Sequence, residues 1–418
     1  MQAESTLKFP QVIVSHPGRQ YSHQTAYAFQ EEGMLTRYFT SLWYKPLQFP
    51  YPLVNSLPAA IRTALLKEVK KRHSEAIQPE LVTQIPIYDL MARTIRLFSQ
   101  TKYNKLIYWI NDQFDKKVSR LIEDIEFDAF VGYESSCLRS FRKAKSKGRL
   151  VILDLAIVHY LKQQEILSQC DYEPYEGDPR LMDEVNKRKR EELELADSIL
   201  VGSQFVKDSL LEAGIPEWKI FKIPYGFDEC IFKSKTSYSD TGRFTVLYVG
   251  SITKRKGVHC LLEAFRELNL KSAELILIGG ATGEKEILNS HNSPQVKHIP
   301  FLPHEDLVTY YQSADIFVFP SLLEGFAQTV LEAMACGTPV IVTPHTGSSD
   351  IVKDGLNGFI VPIMNVEELK EKMRFFYENR KKVEEMGRNA RTTAEKYTWT
   401  RYRDEIRKAV TSIRQPSR

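Results

Sequence analysis

Two glutamates separated by seven residues, Glu324 and Glu332, are the side chains whose type and spacing first suggest chemistry. The segment that follows Glu324 is interpreted as a turn into a short helix, with Glu324 at or just before the helix start and Gly337 as the stop. Eight residues at helical rise span about 12 Å, comparable to a sugar diphosphate with its ribose. A helix N-terminus between the two carboxylates would stabilise a diphosphate through unpaired N–H groups and the positive dipole end. The spacing therefore predicts one carboxylate on sugar hydroxyls and the other on a ribose.

The same two residues have a simpler interpretation. Glu324 could be a first-turn glutamate that complements the helix dipole, and Glu332 a solvated helix residue. An isolated glutamate pair at this spacing fits that interpretation better. The surrounding residues decide between the two.

Arg255 and Lys256 follow a buried apolar run that ends at Gly250 and precede Gly257, so they are expected in a loop between a strand and a helix. Lysine is a compact charge that suits phosphate oxygens, and arginine can contact two oxygens at once. The alternative is a solvated loop. In the company of the glutamate pair we favour phosphate binding.

Gly18 and Arg19 follow the first apolar run, Gln11–Ser15. A glycine at this turn would let the backbone approach a phosphate closely, and Arg19 would offer a second cation to the phosphate or to the acceptor. A simple turn glycine is the alternative for Gly18.

The elements that position these residues form two units of alternating apolar runs and amphipathic helical patterns, which is typical of parallel sheets covered by helices. The predicted fold class is α/β, with two tandem doubly wound Rossmann-like domains and the interdomain cleft as the binding site. The predicted boundaries are an acceptor-side domain at 1–228, a polar linker at 229–243, a donor domain at 244–397, and a final helix near 398–418 that packs back on the first domain.

Composition narrows the class of protein. Hydrophobic residues make up 43% and charged residues 26% of the 418 residues, which is ordinary for a globular protein. The first 150 residues hold 22 Lys+Arg against 14 Asp+Glu, a balance that suggests an anionic substrate or membrane surface, or simply a solvated basic face. Five cysteines without paired spacing argue against a disulfide framework or zinc knuckle and favour a reducing compartment. No secretory signal or membrane-spanning run is apparent.

The stretch from Glu324-Gly325-Phe326-Ala327 through Glu332-Ala-Met-Ala to Gly337-Thr-Pro-Val strongly resembles the glutamate-x7-glutamate motif of retaining glycosyltransferases of family 4. That family has the GT-B architecture, and the resemblance covers residues 190–395 well and the first 150 residues only in outline. It implies transfer of a hexose-type sugar from a nucleotide-diphosphate sugar to an acceptor hydroxyl with retention of configuration.

The resemblance also implies roles for single residues. Arg255 and Lys256 would neutralise the diphosphate leaving group, and Ser251 stands where the family often has another arginine. Phe301 lies in a segment that resembles the family's nucleobase-contacting backbone. The residue nearest the reacting carbon would follow the Leu150–Leu153 strand, with Asp154 as first choice and His159 as second. The alternative for both is a buried, satisfied polar residue. Further donor-binding positions implied by the motif are Gly325, Phe326, Ala327 and Glu332.

No Asp-x-Asp triplet occurs in the sequence, so the metal–diphosphate clamp of the other main glycosyltransferase architecture is missing. We therefore expect no metal and no cofactor, with protein cations and a helix dipole offsetting the leaving-group charge. The alternatives are a nucleotide-sugar epimerase of the same architecture, or a donor-binding protein without transfer activity. We expect a nucleotide-sugar donor as partner and no nucleic acid.

The acceptor leaves little signature. Trp43, Tyr44, Phe49 and Tyr51 precede a basic amphipathic segment, Ala59–His73, and together they suggest a lipid-linked or membrane-surface acceptor. Ordinary packing of aromatic residues explains them equally well. The expected location is cytoplasmic, with the cytoplasmic face of a membrane as the alternative.

Overall fold

The computed structural model describes residues 9–18, 21–45, 48, 51–55, 58–59, 62–63, 76–170, 178–238, 242–281, 286–289 and 293–413. Arg19, Phe49 and most of the predicted basic helix at 59–73 lie outside these residues.

The first domain is built on a seven-stranded sheet in the order β3-β2-β1-β4-β5-β6-β7, in which every neighbouring pair is parallel. Its central strands are short apolar runs buried along their whole length, as expected for strands covered by helices on both faces. The strands are β1 (Val12–His16), β2 (Leu35–Thr40), β3 (Val82–Gln84), β4 (Ala129–Tyr133), β5 (Leu150–Leu155), β6 (Ser198–Val201) and β7 (Ile220–Lys222).

The helices of this domain are amphipathic segments that connect the parallel strands. In chain order they are α1 (Ser22–Glu31), α2 (Tyr51–Asn55), α3 (Pro86–Phe98), α4 (Gln100–Leu121), α5 (Leu138–Ser146), α6 (Tyr160–Gln169), α7 (Pro179–Leu195) and α8 (Gln204–Glu212).

The second domain has a six-stranded parallel sheet in the order β10-β9-β8-β11-β12-β13. Its strands are β8 (Phe244–Val249), β9 (Ala273–Ile278), β10 (Val296–Ile299), β11 (Ile316–Phe319), β12 (Val340–Val342) and β13 (Gly358–Ile360). Its helices are α9 (Val258–Leu268), α10 (Glu286–Asn289), α11 (His304–Ser313), α12 (Gln328–Ala335), α13 (Val366–Glu378) and α14 (Arg380–Ala394).

Each sheet reverses its strand order beside its first strand: β1 lies between β2 and β4, and β8 lies between β9 and β11. In doubly wound sheets such a reversal opens a crevice at the carboxyl ends of the strands, where ligands bind. The loops after these strand ends carry Gly18, Arg255, Lys256 and Glu324. The topology thus brings residues far apart in the sequence to two facing edges.

The last helix, α15 (Trp399–Ser412), lies on the first domain. Arg407 forms an ion pair with Glu31 of α1. The Tyr402 hydroxyl lies 2.8 Å from Oγ1 of Thr25, which is also in α1. The segment 229–238 packs on the second domain, where Lys235 Nζ donates to the Ala314 carbonyl at 2.7 Å. The chain therefore crosses between the domains twice.

The aromatic residues that suggested a membrane surface are mostly core residues. Trp43 and Tyr51 are almost fully buried, and the Tyr51 hydroxyl donates to the Trp43 carbonyl at 2.7 Å. Tyr44 is half-buried and packs edge-on against Tyr51. That part of the membrane interpretation was wrong, because the apolar rings fill the space beside the first sheet. Within the described residues, no helix has a stretch that is both long enough and apolar enough to cross a bilayer.

Candidate active site

The loop that carries Arg255 and Lys256 is fastened to the loop after β11. Gly257 has a left-handed backbone with φ of 67°, and a Cβ there would overlap the carbonyl group of Pro320. The N–H of Leu322 donates to the Arg255 carbonyl at 2.9 Å. Only glycine permits this close approach without strain, so the two loops hold a fixed relative position.

Glu324 forms ion pairs with both Arg255 and Lys256. Arg255 Nη1 lies 2.9 Å from Glu324 Oε1, Lys256 Nζ pairs with the same oxygen, and the Ser321 hydroxyl donates to it at 3.0 Å. The Glu324 side chain remains 17% exposed. The carboxylate thus anchors two cations beside each other while keeping access to the cleft.

This pairing determines the ionisation of the cluster. Burial opposes the charge of Glu324, but the charges of Lys256 and Arg255 and the hydrogen bonds from Lys256 and Ser321 hold its pKa below the usual value. Burial lowers the pKa of Lys256, partly countered by Glu324. The three ionised groups together carry one net positive charge, which favours an anionic ligand.

Helix α12 begins later than the sequence suggested. Its first residue is Gln328, four positions after Glu324, so the assumption of a continuous helix between the glutamates, on which the estimate of about 12 Å rested, was wrong. The N–H of Ala327 donates to the Thr346 carbonyl at 3.1 Å, and that of Gln328 donates to Phe326 at 3.1 Å. These amides already have acceptors, because the chain before α12 forms a turn against the loop after β12.

Glu332 is buried inside the second domain, with only 2% of its surface exposed. Tyr311 donates a hydrogen bond of 3.0 Å to Glu332 Oε2, and His304 Nδ1 lies 4.0 Å from Glu332 Oε1. Burial raises the pKa of Glu332 to about 8, although the Tyr311 hydrogen bond acts the other way. The alternative of a solvated helix glutamate was therefore wrong.

The remaining predicted donor positions are distributed around the same loops. Ser251 is exposed, and its carbonyl accepts a hydrogen bond of 2.7 Å from the Tyr248 hydroxyl. Phe301 is 52% exposed at the end of β10. Phe326 and Ala327 are buried, and Phe326 packs edge-on against Tyr225 of the first domain. They shape the loop rather than present a free surface.

Gly18 lies at the carboxyl end of β1, on the first-domain side of the cleft. Its N–H donates to His16 Nδ1 at 2.8 Å, and a Cβ at this position would meet the His16 ring at 3.0 Å. This close contact gives Gly18 a turn role in the described structure. The neighbouring Arg19 lies outside the described residues.

The two domains touch at Gly325. A Cβ on this glycine would overlap the Ala156 carbonyl oxygen and lie 2.6 Å from its carbonyl carbon. The Ser203 hydroxyl, after β6, donates to the Gly325 carbonyl at 2.6 Å. The loop that carries Glu324 is therefore held against the carboxyl ends of β5 and β6.

Asp154 lies within β5, two residues before this contact, and is almost completely buried. Burial raises its pKa to about 7, opposed by hydrogen bonds from Tyr133 and Tyr225. Thr25 Oγ1 lies 3.0 Å from the Tyr133 hydroxyl and 2.8 Å from the Tyr402 hydroxyl of α15, so it links the two tyrosines by hydrogen bonds. This arrangement favours the satisfied, structural alternative for Asp154 over a position beside the reacting carbon.

His159 precedes α6 and is likewise buried. Its Nδ1 accepts a hydrogen bond of 3.4 Å from the backbone N–H of Leu161. The backbone N–H of His159 donates to Ser209 Oγ at 3.0 Å. Burial and the charge of Lys189 lower its pKa to about 4. His159 is therefore a neutral imidazole at neutral pH.

Asp350 makes an interdomain contact that the sequence interpretation did not anticipate. Its carboxylate accepts hydrogen bonds from the Gln204 N–H at 2.9 and 3.1 Å and forms an ion pair with Lys222 at 3.2 Å. It thereby caps a first-domain helix from a second-domain loop. A lone aspartate in a loop gives no local signal for a partner 146 residues away.

A cavity of about 830 Å³ lies away from the cluster, between β7 and α15, with Lys222, Asp350 and Arg401 among its lining residues. Residues of both domains line it, and the glutamate–cation cluster does not. Within the described residues, no group of three or more His, Cys, Asp or Glu side chains is placed to hold a metal ion.

The second half of the chain is similar in sequence to known proteins. Residues 231–393 match the family model described as glycosyl transferases group 1. The chain is 30% identical over 189 residues to a D-inositol 3-phosphate glycosyltransferase of Paenarthrobacter aurescens, an alignment that covers 42% of this chain and 46% of the relative. The chain thus spans about half the length of the curated relatives it matches.

Solved structures match over nearly the whole chain. Sucrose-phosphate synthase from Thermosynechococcus elongatus superposes with a TM-score of 0.68 at 18% identity, covering 96% of this chain and 98% of that one. Anabaena Alr3699/HepE, solved in complex with UDP, superposes with a TM-score of 0.66 at 16% identity, covering 96% and 100%. The fold is the two-domain GT-B fold. The family-model match at residues 231–393 supports a glycosyltransferase.

Proposed function

We propose that this chain is a retaining, metal-independent glycosyltransferase that moves a hexose from a nucleotide-diphosphate sugar to an acceptor hydroxyl. The observation that carries the proposal is the cluster of Arg255, Lys256 and Glu324, which has one net positive charge and lies where the two sheet edges meet. Such a cluster suits a diphosphate whose charge grows as the glycosidic bond breaks.

The cations act on the leaving group. Glu324 and Ser321 hold Arg255 and Lys256 in place before the donor arrives, so little reorganisation is needed when charge develops on the diphosphate. Because Glu324 is partly exposed, its second oxygen can accept hydrogen bonds from sugar hydroxyls. This arrangement replaces the role that a divalent ion has in metal-dependent transferases.

Glu332 is the proposed ribose ligand. It lies beside Tyr311 and His304 and is buried, so an incoming ribose would give its carboxyl group hydroxyl partners in a dry environment. The pKa of about 8 implies that the unliganded carboxyl group is largely protonated at neutral pH. A hydrogen-bonding ribose diol would favour the ionised form.

The acceptor hydroxyl would attack from the face that the diphosphate leaves, which preserves the anomeric configuration. The contact of Gly325 with Ala156 supports a closed arrangement that excludes water at this point. The UDP complex of the Anabaena protein supports a nucleoside diphosphate as donor fragment, with uridine, guanosine or adenosine as the candidate nucleosides.

The test is a donor screen followed by a transfer assay. Thermal shift against UDP, GDP, ADP and their hexose conjugates should give stabilisation by one nucleotide diphosphate that persists in EDTA. NMR of the glycoside made with that donor should show the donor's own anomeric configuration. Stabilisation only with added metal, or an inverted product, would contradict the proposal; donor conversion without an acceptor would indicate an epimerase.

A further inference from the structure

Helix α4 is longer than the sheet it covers. Its 22 residues span about 33 Å. The Asp115 carboxylate accepts hydrogen bonds from the N–H groups of Arg139 at 2.6 Å and Ser140 at 3.0 Å, at the start of α5. Because α5 follows β4, Asp115 marks the level of the carboxyl edge of the first sheet. The first half of α4 therefore projects beyond this edge, toward the side where the cleft opens.

The two faces of α4 differ sharply. Ile110, Phe114 and Val118, spaced four residues apart, are buried, and the last two belong to the core of the first domain. The opposite face carries five cations and two large apolar side chains. The exposed residues, which we call the α4 stripe, are Lys102, Lys105, Leu106, Trp109, Lys116, Lys117 and Arg120.

Trp109 lies in the middle of this stripe. It is 50% exposed, and Leu106, three residues earlier, is 40% exposed. Lys102 precedes Trp109 by seven residues and Lys116 follows it by seven, spacings that keep all three on one helix face. The cations thus extend along the helix on both sides of an exposed aromatic ring.

Carboxylates are absent from the exposed residues of α4 that the structure describes. The half-buried Asp112 is bound by Arg139, with Nε donating to Oδ1 at 2.8 Å, and by Arg188. The neighbouring helix α3 adds exposed Ile87 and Met91, four residues apart. Nothing on the α4 stripe itself offsets its positive charge.

This combination of cations and exposed apolar side chains is complementary to an anionic lipid surface. A tryptophan at the headgroup level keeps its N–H solvated while the ring enters the apolar boundary, and the long stems of lysines reach past it to phosphate groups. An anionic leaflet attracts clustered Lys and Arg from solution. A face that only kept the protein soluble would need the cations but would not expose Trp109 and Leu106 between them.

We propose that the α4 stripe docks the protein on an anionic phospholipid bilayer, with Trp109 and Leu106 at the headgroup level and the lysines on lipid phosphates. The projecting half of α4 then holds the cleft close to the bilayer surface. Resting on the proposed function, this assigns the acceptor to the class of lipid-linked hydroxyl compounds presented at such a surface.

The test uses the full chain and vesicles of phosphatidylcholine with or without phosphatidylglycerol in a flotation assay. The protein should float with the anionic vesicles, lose binding as salt rises, and ignore the neutral vesicles. The Lys102→Glu/Lys105→Glu variant should bind at least about 20-fold more weakly. The Leu106→Ser/Trp109→Ser variant should also bind more weakly and should retain the salt dependence.

The matched control is Lys271→Glu/Lys381→Glu, which makes the same charge change at exposed lysines of the second domain. It should float like the wild type, and all variants should keep the wild-type thermal midpoint. No flotation at low salt, flotation of both α4 variants at the wild-type level, or an equal loss in the control would overturn the proposal. So would α4-dependent binding to RNA or heparin without binding to vesicles.

The two proposals fail in different ways. Flotation without any nucleotide-diphosphate binding would leave the bilayer surface standing and remove the transferase. Donor binding and transfer to a water-soluble acceptor without flotation would leave the transferase standing and remove the surface.

Discussion

Gly325 of the second domain lies directly against the backbone of Ala156 in the first, so closely that no larger residue fits between them. The glycine follows Glu324, and Ala156 follows the strand that contains Asp154. The glutamate–cation cluster is thus positioned relative to the first domain by a backbone-to-backbone contact. Its geometry depends on how closely two domains approach each other.

Gly325→Ala should reduce kcat/KM by about 10- to 100-fold, because the added methyl group forces the loops apart and misplaces the reacting groups by a fraction of an ångström or more. The measurement is steady-state kinetics with the donor found by the thermal-shift screen. As a control, Gly355→Ala adds a methyl group that meets no atom within 4 Å, although its φ of 74° makes the backbone strained. It should lower stability and leave kcat/KM unchanged, and the same kinetic loss in both variants would contradict the contact's role.

Lys256→Met should lower kcat by about 100- to 1,000-fold, because it removes one of the two cations that we propose stabilise the leaving group. Glu324→Gln should cause a loss of similar size, since a neutral amide no longer holds Arg255 and Lys256 as an ion pair. Single-turnover kinetics at saturating donor separates this effect from weaker binding. Lys254→Met, at an exposed lysine of the same loop, is the control. Near-normal turnover in Lys256→Met would remove the assigned role.

Glu332 should make stability depend on pH. Its pKa is raised by burial from the ordinary 4.5 to about 8 in the folded protein. Between these values the folded protein holds a proton that the unfolded chain has released. The stabilising contribution of the protonated carboxyl group is thus fully present below pH 4.5, falls as pH rises, and is lost above pH 8.

Glu332→Gln should therefore flatten the fall in the urea midpoint between about pH 5 and pH 8. Because the amide resembles a protonated carboxyl group, the variant should unfold at a higher urea concentration than the wild type at pH 8. Glu378→Gln, at an exposed glutamate, should leave the pH profile unchanged. Parallel profiles of wild type and Glu332→Gln would show that Glu332 ionises normally.

Asp350→Asn should loosen the closed arrangement, because it weakens the cap on Gln204 and removes the ion pair with Lys222. The expected results are a KM for the donor raised several-fold and a larger radius of gyration by X-ray scattering, with kcat changed less. Lys222→Met should have the smaller effect, since ion pairs with a partly exposed lysine contribute about 0–1 kcal/mol. A double-mutant cycle measures the coupling between the two residues. If Asp350→Asn had the same radius of gyration as the wild type, the proposed role of Asp350 in holding the two domains together would be contradicted.

Much of the architecture was visible in local patterns. The apolar runs at 150–153 and 244–250 are strands because side chains buried on both faces of a sheet must be apolar along their whole length. The two tandem doubly wound units were predicted from this alternation, and the fold confirms them. The loop position of Arg255 and Lys256 followed in the same way.

Other features depend on contacts that sequence spacing does not encode. The sequence does not distinguish a buried aromatic residue from an exposed one. Packing alone places Trp43 and Tyr51 in the core and leaves Trp109 exposed. The start of α12 at Gln328 is set by hydrogen bonds from the preceding turn to the loop after β12. Periodicity locates a helix but is weakest at its ends.

The sequence by itself determined the residue types available for chemistry: two glutamates, two cations and the glycines that let their loops pack. The tertiary structure decided that Arg255 meets Glu324 across 69 residues and that Ser203 meets Gly325 across 122. The physical reason is that strand and helix patterns arise from neighbours along the chain, whereas charge pairing, burial and pKa arise from neighbours in space. Those spatial neighbours exist only once both sheets have formed and their carboxyl edges face each other.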